Sequence, residues 1–194
     1  LRDMLAGNAT KSVDVTVKWD GAPAVFVGKD PSDGQFFVAK KGVFNKNPKV
    51  YKSHADIDDD TSGDLSIKLK AAFDALKTAN IKDVIQGDIM YVKDDLKKEK
   101  IDGQEYITFH PNTIVYAVPT ATPAAQEISR AKIGIVWHTT YKGASFEEMK
   151  ASYGVDMKQL NGSKGAWNQD AALRDLSGTA TLTKRDTEEV TAAL

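Results

Sequence analysis

The sequence predicts a mixed α/β (α+β) domain built on antiparallel sheets, with a few helices packed beside them. Short apolar or alternating runs typical of strands occupy 24–28, 35–39, 84–91 and 133–140. The stretch Asp30-Pro31-Ser32-Asp33-Gly34 has strong turn chemistry and makes the first two runs antiparallel neighbours. One helix is indicated by apolar residues at helical spacing, namely Leu65, Leu69, Ala72, Phe73 and Leu76.

The remaining stretches of the main region follow in chain order. Residues 13–17 alternate like a strand that ends at Lys18, and the acidic stretch 54–63 is expected to be an exposed loop. Further on, 113–118 predicts a strand and 124–131 a short helix.

The sequence after residue 145 predicts more helix than the strand-rich part before it. Residues 146–153 predict a helix, and the break 161–165 precedes two short amphipathic segments. We therefore expect a core domain over 1–160 and a helical extension over 161–194. The chain starts at Leu1 and ends in a helix-like stretch, so both ends are expected to be cuts through a longer protein.

Composition narrows the class of protein. The 194 residues are 41% hydrophobic and 27% charged, which suits one globular domain or slightly more. The chain shows neither an apolar run of the ~18 residues that span a bilayer nor a secretory signal, so a soluble cytoplasmic protein is expected. The absence of cysteine excludes disulfides, thiolate zinc sites and cysteine nucleophiles. A net charge of -1 gives no global attraction to nucleic acid.

Lys18-Trp19-Asp20-Gly21 is the sharpest local signal, and it has the form K-x-D-G. Covalent nucleotidyl transfer needs an amine on rigid backbone beside a tight turn. A lysine amine attacks only when it is neutral, which a metal ion or the nearby charge of Lys40 or Lys41 would favour. The same tetrapeptide also fits an exposed strand lysine before an Asp-Gly turn.

Two apolar strands carry further candidates. Asp88 lies within the run 84–91, where a buried carboxylate requires a partner or a function; the alternatives are a metal or ribose contact and a structural pair with a lysine. Trp137 and His138 lie within 133–140. An indole there is either a core side chain or a platform for a base, and a lone histidine is usually a hydrogen-bonded side chain.

Taken in order, these motifs resemble those of the superfamily of ATP-dependent DNA and RNA ligases and messenger-RNA capping enzymes. The matching stretches are Lys18 to Gly21, Phe37-Val38-Ala39-Lys40-Lys41-Gly42, Ile85-Gln86-Gly87-Asp88-Ile89 and the run from Ile133 to Gly143. The resemblance implies an adenylation domain whose antiparallel sheets form a nucleotide-binding cleft. His138 stands where an aspartate is usual, and the two closing motifs, E-G-x-V-x-K and K-x-K, are not found.

The resemblance also implies residue roles. Lys18 would be the nucleophile that forms lysyl-AMP, Asp88 would hold Mg²⁺, and the nucleotide would be bound by Val17, Asp20, Gly21, Lys40, Lys41 and Trp137. One of the two lysines would face the ribose or a phosphate, and Trp137 would stack on the purine.

The implied activity is polynucleotide ligation with ATP and Mg²⁺, acting on DNA or RNA ends that carry a 5′-phosphate, by a monomer. A likeness to ligase-like proteins of tailed bacteriophages suggests the cytoplasm of an infected bacterium and a role such as DNA repair. The missing motifs leave an alternative, a catalytically degenerate module that binds nucleic acid or a protein partner. Its support is the absence of those motifs. A run of five lysines with interleaved aromatics could follow a phosphate backbone and stack on bases, and it also fits a solvated loop: Lys40, Lys41, Phe44, Lys46, Lys49, Tyr51 and Lys52.

Overall fold

The computed structural model describes residues 17–172 and 183–193. One compact unit spans Lys18–Ala171, and helix α4 belongs to a separate unit. The strands are β1 Ala24–Lys29, β2 Phe36–Ala39, β3 Val84–Val92, β4 Lys97–Ile101, β5 Gln104–Phe109, β6 Tyr116–Pro119, β7 Ile133–Lys142, β8 Lys150–Tyr153 and β9 Ala166–Asp170. The helices are α1 His54–Asp60, α2 Gly63–Leu76, α3 Pro123–Arg130 and α4 Lys184–Ala193, and 3₁₀ helices occupy Lys41–Phe44, Lys93–Asp95 and Met157–Leu160.

A central sheet organises the main unit, with the strand order β2-β1-β3-β7-β8 and β9 as a third partner of β7. All its pairs are antiparallel except β9, which runs parallel to the first half of β7. A smaller antiparallel sheet has the order β4-β5-β6. The expectation of a mixed α/β (α+β) fold with antiparallel sheets is confirmed.

One face of the central sheet, the helix face, is covered by α1 and α2. Its core contains Val25 and Val27 of β1, Ile85 and Ile89 of β3, and Trp137 of β7, packed against Ile57, Leu69, Ala72 and Leu76 of the helices. Alternation along each strand sends these side chains to the same side. The predicted helix over 65–76 is confirmed as α2.

The opposite face of the central sheet, the second face, carries two separate apolar clusters. The first contains Met90 and Val136, on which Ile107 and Phe109 of β5 and Ile128 of α3 pack. The second contains Phe26 and Phe37, on which Val43, Phe44 and Phe146 pack. Between the clusters the sheet is only partly covered: Gln86, Asp88 and His138 are half-buried.

Three stretches differ from expectation. The acidic stretch 54–60 forms α1 because the Ser53 hydroxyl caps it, accepting the Asp56 N–H at 3.2 Å, and because Ile57 packs into the core. Residues 150–153 form strand β8 along the edge of β7, where a helix was expected. Residues 166–170 form β9 within the central sheet, so the domain extends past the expected boundary at residue 160.

The other predicted elements compare with the structure as follows. The runs at 24–28, 35–39, 84–91, 124–131 and 133–140 correspond to β1, β2, β3, α3 and β7. The strand expected over 13–17 lies outside the described residues except for Val17, which is not in a strand. Among the described residues, none of the helices has the length and apolarity that a bilayer crossing requires.

Gly134 of β7 provides a stability test, because the Tyr91 ring occupies the space where a side chain would stand. A Cβ at Gly134 would lie 2.1 Å from Cε1 of Tyr91, whose ring is fully buried. We expect Gly134→Ala to lower the free energy of unfolding by about 1–3 kcal/mol, because a packed core must shift to admit the methyl group. Urea denaturation monitored by circular dichroism measures the change.

Gly42→Ala is the matched control. A Cβ there would meet only the Asn45 side-chain nitrogen at 3.6 Å, an ordinary contact. An equal loss of stability in both variants would show that the Tyr91 contact is not the cause.

Candidate functional site

The pairing of β3 with β7 contains two irregularities that bracket Asp88. Gln86 pairs with Thr139 and Gly87 with Trp137, so His138 is an extra residue in β7. The second shift lies between Ile89 and Tyr91. A β-bulge of this kind changes the direction of the side chains that follow it, and bulges are frequent beside functional sites.

Asp88 and His138 meet on the second face of the sheet. The Nε2 atom of His138 lies 3.6 Å from Oδ2 of Asp88, and both side chains are 26% exposed. The Nδ1 atom of His138 lies 2.7 Å from the hydroxyl of Thr139. The acid within the apolar strand thus has a histidine neighbour, not the lysine that a structural ion pair would supply.

Gly21 of the K-x-D-G segment passes directly over Asp88. A Cβ at Gly21 would lie 2.6 Å from Cβ of Asp88 and 2.9 Å from the sulfur of Met90, so only glycine allows this approach. The following residue anchors the segment to β3, because the Ala22 N–H donates to the Ile89 carbonyl at 2.9 Å. Three of the sequence motifs therefore converge here, represented by Gly21, Asp88 and His138.

Asp20 is held by a loop that is distant in sequence. Its Oδ2 atom accepts the Thr113 N–H and hydroxyl, both at 2.6 Å, and the Ile114 N–H at 3.0 Å, while Oδ1 accepts from Asn112. These hydrogen bonds, led by the one from the Thr113 hydroxyl, lower the pKa of Asp20 to about 2. The carboxylate thus binds the loop 112–114, whereas the resemblance implied contact with the nucleotide.

Trp19 and Tyr116 complete the attachment of this segment. Their rings stack with centroids 5.3 Å apart, and the Tyr116 hydroxyl accepts the Asp20 N–H at 2.8 Å. Thr113 and Tyr116 were missed by the sequence reasoning. They lie 93 and 96 residues from Asp20, and no short-range pattern indicates such a contact.

Lys18 itself is exposed and lies in an irregular stretch, six residues before β1 begins at Ala24. The expectation of a lysine at a strand end is therefore not met. In the described part of the chain, its side chain has no hydrogen bond or ion pair. Val17 is also exposed, at 44%.

Lys40 and Trp137 do not join Asp88, because both lie on the helix face. The Lys40 amine pairs with Asp60 of α1 at 2.9 Å. Trp137 is 0% exposed and its Nε1–H donates to Asn168 at 2.9 Å, so neither face of the indole is open to a purine. Of the expected pair of lysines, Lys41 is the exposed one. The expected single pocket of Lys18, a lysine, Asp88 and Trp137 is thus not formed.

The run of lysines between 40 and 52 is largely neutralised. Lys49 pairs with Asp60 at 2.5 Å, and Lys52 contacts both Asp30 at 2.7 Å and Asp33 at 2.8 Å. Lys49, Tyr51 and Lys40 together hold the pKa of Asp60 well below its usual value. Tyr51 is 3% exposed, so its ring cannot stack on a base.

Asp88 and His138 are the side chains at this place that could hold a divalent ion. In the ranges that the structure describes, no three residues among histidine, aspartate and glutamate cluster as metal ligands. Asp88 and His138 nevertheless offer one oxygen and one nitrogen on the same face. Mg²⁺ is commonly held by one or two carboxylates together with substrate phosphates, so a site with few protein ligands is consistent with nucleotide chemistry.

The Asp20 anchor provides a pH test. A carboxyl group with a depressed pKa contributes its hydrogen bonds fully above the ordinary value of 3.8 and loses them as the pH falls through about 2. In an NMR titration we expect the amide signals of Thr113 and Ile114 to shift with a midpoint of about 2. The Asp20→Asn variant should show no such transition; a midpoint at 3.8 in the unmodified chain would contradict the anchoring.

Comparison with known proteins identifies the family. No curated protein and no solved structure matches this chain. One family model, described as a family of unknown function, matches residues 1–194 and thus the whole chain. The chain therefore belongs to the family DUF6267.

Proposed function

We propose that the chain is a covalent nucleotidyltransferase in which Lys18 takes up AMP from ATP, as in a polynucleotide ligase. The observation that carries the proposal is the close approach of Gly21 to Asp88, where a Cβ on Gly21 would lie 2.6 Å from Cβ of Asp88. The K-x-D-G segment and the acid of the apolar strand come from separate parts of the sequence. Their contact is the arrangement that a nucleophile and a metal-binding acid would need.

The backbone around Lys18 supports a nucleophilic role. Each of the three residues after Lys18 is held: Trp19 by stacking on Tyr116, Asp20 by the loop 112–114, and Gly21 by contact with Asp88. The Lys18 side chain is exposed beyond this fixed backbone. A side chain that is anchored at its base and uncommitted at its tip can reach a bound substrate.

The covalent step transfers the adenylyl group to nitrogen. The neutral Lys18 amine attacks the α-phosphorus of ATP, a P–N bond forms, and the P–O bond to pyrophosphate breaks. The amine loses one proton to solvent or to the departing group. Lysyl-AMP and pyrophosphate are the products, and no electron acceptor is required.

Other residues take part through charge. Asp88 and His138 would hold a divalent ion, Mg²⁺ by the resemblance, and such an ion neutralises phosphate charge when bound. Lys41 is exposed and can pair with a phosphate, whereas Lys40 is paired with Asp60. Asp20 acts on the Lys18 segment through the loop 112–114, a positioning role.

The second half of the proposed reaction uses a nucleic acid end. The adenylyl group passes to a 5′-phosphate of DNA or RNA, and a 3′-hydroxyl then displaces AMP to join the strands. The alternative, a non-catalytic binding module, still has the support of the missing closing motifs, but the lysine run adds less to it. Lys40, Lys49 and Lys52 are paired with aspartates, and Tyr51 is buried.

Substitution of the proposed nucleophile tests the function. Lys18→Arg keeps a positive charge of similar reach, but a guanidinium stays protonated and cannot attack phosphorus. We expect the unmodified protein to retain radioactivity from α-labelled ATP through denaturing electrophoresis, and the variant to retain none. The longest natural polypeptide that carries this sequence is the material of choice.

Lys97→Arg is the matched control, because Lys97 is an exposed lysine on β4 of the smaller sheet. It should label like the unmodified protein. Labelling that persists in Lys18→Arg would assign the nucleophile elsewhere. Absence of labelling in the unmodified protein with every divalent ion supplied would favour the binding module.

A further inference from the structure

We infer that Asp88 and His138 form the protein side of a binding site for a divalent first-row transition ion, in preference to Mg²⁺. Water or substrate phosphate would supply the remaining ligands. The inference rests on the proposed function only for the catalytic use of the ion. Binding of the ion itself can be measured without adenylation.

The distance between the two side chains leaves room for a shared ion. The 3.6 Å between Nε2 of His138 and Oδ2 of Asp88 lies within ion-pair range but is longer than a normal hydrogen bond. Two ligand atoms that each stand about 2.1 Å from one ion are separated by this distance when the angle at the ion is roughly 120°. That angle is close to the tetrahedral value, and little movement is needed to bind.

The second ring nitrogen of His138 already has a partner. Its Nδ1 atom lies 2.7 Å from the Thr139 hydroxyl. When Nδ1 carries the proton and donates to that oxygen, Nε2 presents its lone pair toward Asp88. Metal-binding histidines are oriented in this way by a partner on the other nitrogen.

The backbone beneath the pair is rigid and specific. Asp88 lies in an internal strand between β1 and β7, and the β7 bulge places His138 and Thr139 on the same face. Both ligand side chains are 26% exposed, which leaves access for an ion and for further ligands. Sites built on strands hold their geometry better than sites on loops.

Ligand chemistry sets the preference among ions. Mg²⁺ favours oxygen ligands in near-ideal octahedral geometry, and it releases its water reluctantly. An imidazole nitrogen suits softer ions such as Co²⁺ and Zn²⁺. The chain has no cysteine, so no thiolate competes for such an ion.

A second histidine–aspartate pair in the chain gives an internal comparison. Nε2 of His54 lies 3.2 Å from Oδ2 of Asp74, within ion-pair distance. Asp74 also binds the Lys77 amine at 3.0 Å, so its charge is already balanced. The pair joins α1 to α2, and both side chains are about half exposed, more than those of Asp88 and His138. We expect no ion there.

Co²⁺ is a suitable probe, because its visible absorption reports both nitrogen ligation and coordination number. Untagged chain is titrated with Co²⁺ by calorimetry and by absorption, without nucleotide. We expect one site per chain, with a shift of the visible Co²⁺ bands as an imidazole nitrogen replaces water. An equal concentration of Mg²⁺ should leave most of the Co²⁺ bound.

Four variants, each checked for native thermal unfolding, test the assignment of the ligands. Asp88→Asn and His138→Asn should each weaken Co²⁺ binding by about tenfold or more, whereas the control His54→Asn should leave it unchanged. His138→Asp replaces the nitrogen by oxygen and should reduce the preference for Co²⁺ over Mg²⁺. If either ligand variant fails to fold, the Mg²⁺ competition and the His138→Asp comparison still decide the question.

Two results would overturn the inference. The first is Co²⁺ binding that is absent, or equal in the unmodified chain and in a folded ligand variant. The second is displacement of Co²⁺ by an equal concentration of Mg²⁺. Loss of ATP labelling with intact Co²⁺ binding would instead count against the proposed function alone.

Discussion

The irregular pairing of β3 with β7 is the constraint on which the rest of the main unit depends. In a regular strand Trp137 and Tyr141 would face the same side, because alternate residues share a face. The extra residue His138 reverses the alternation. Trp137 therefore fills the core beneath α2, while Tyr141 packs on Phe26 across the sheet. The bulge allows one strand to serve two cores and places His138 beside Asp88.

Coverage of the second face explains why a polar site lies in an otherwise apolar sheet. The cluster around Met90 and the cluster around Phe26 cover opposite ends of that face. Between them Asp88 and His138 keep about a quarter of their side chains exposed. A carboxylate under full cover would require a strong partner, whereas partial exposure lets water or a ligand satisfy it. The uncovered part of the second face therefore lowers the desolvation cost of the Asp88 carboxylate and also leaves it accessible to a ligand.

Predictability from sequence follows the range of the interactions involved. Strands β1, β3 and β7 and helix α2 have strong apolar patterns of their own, so local reasoning located them. Strand β8 forms because β7 offers it an edge, which is a tertiary effect that overrides a helical pattern. Asp88 could be singled out as an acid in an apolar strand. The contact between Asp88 and His138 could not be predicted, because it depends on a β-bulge that has no sequence signature.

The acid of the K-x-D-G segment shows how a motif and its chemistry can separate. Both carboxylate oxygens of Asp20 accept hydrogen bonds from the loop 112–114, so Asp20 cannot bind a nucleotide while that loop is in place. The charge instead joins two segments that lie over ninety residues apart. Lys18 thereby stands on backbone that is fixed through its next three residues, with a tip that no partner in the described part of the chain restrains. In the proposed reaction Asp20 would fix the position and the Lys18 amine would react. A nucleophile on an irregular segment needs such contacts, because they must replace the rigidity that a strand would provide.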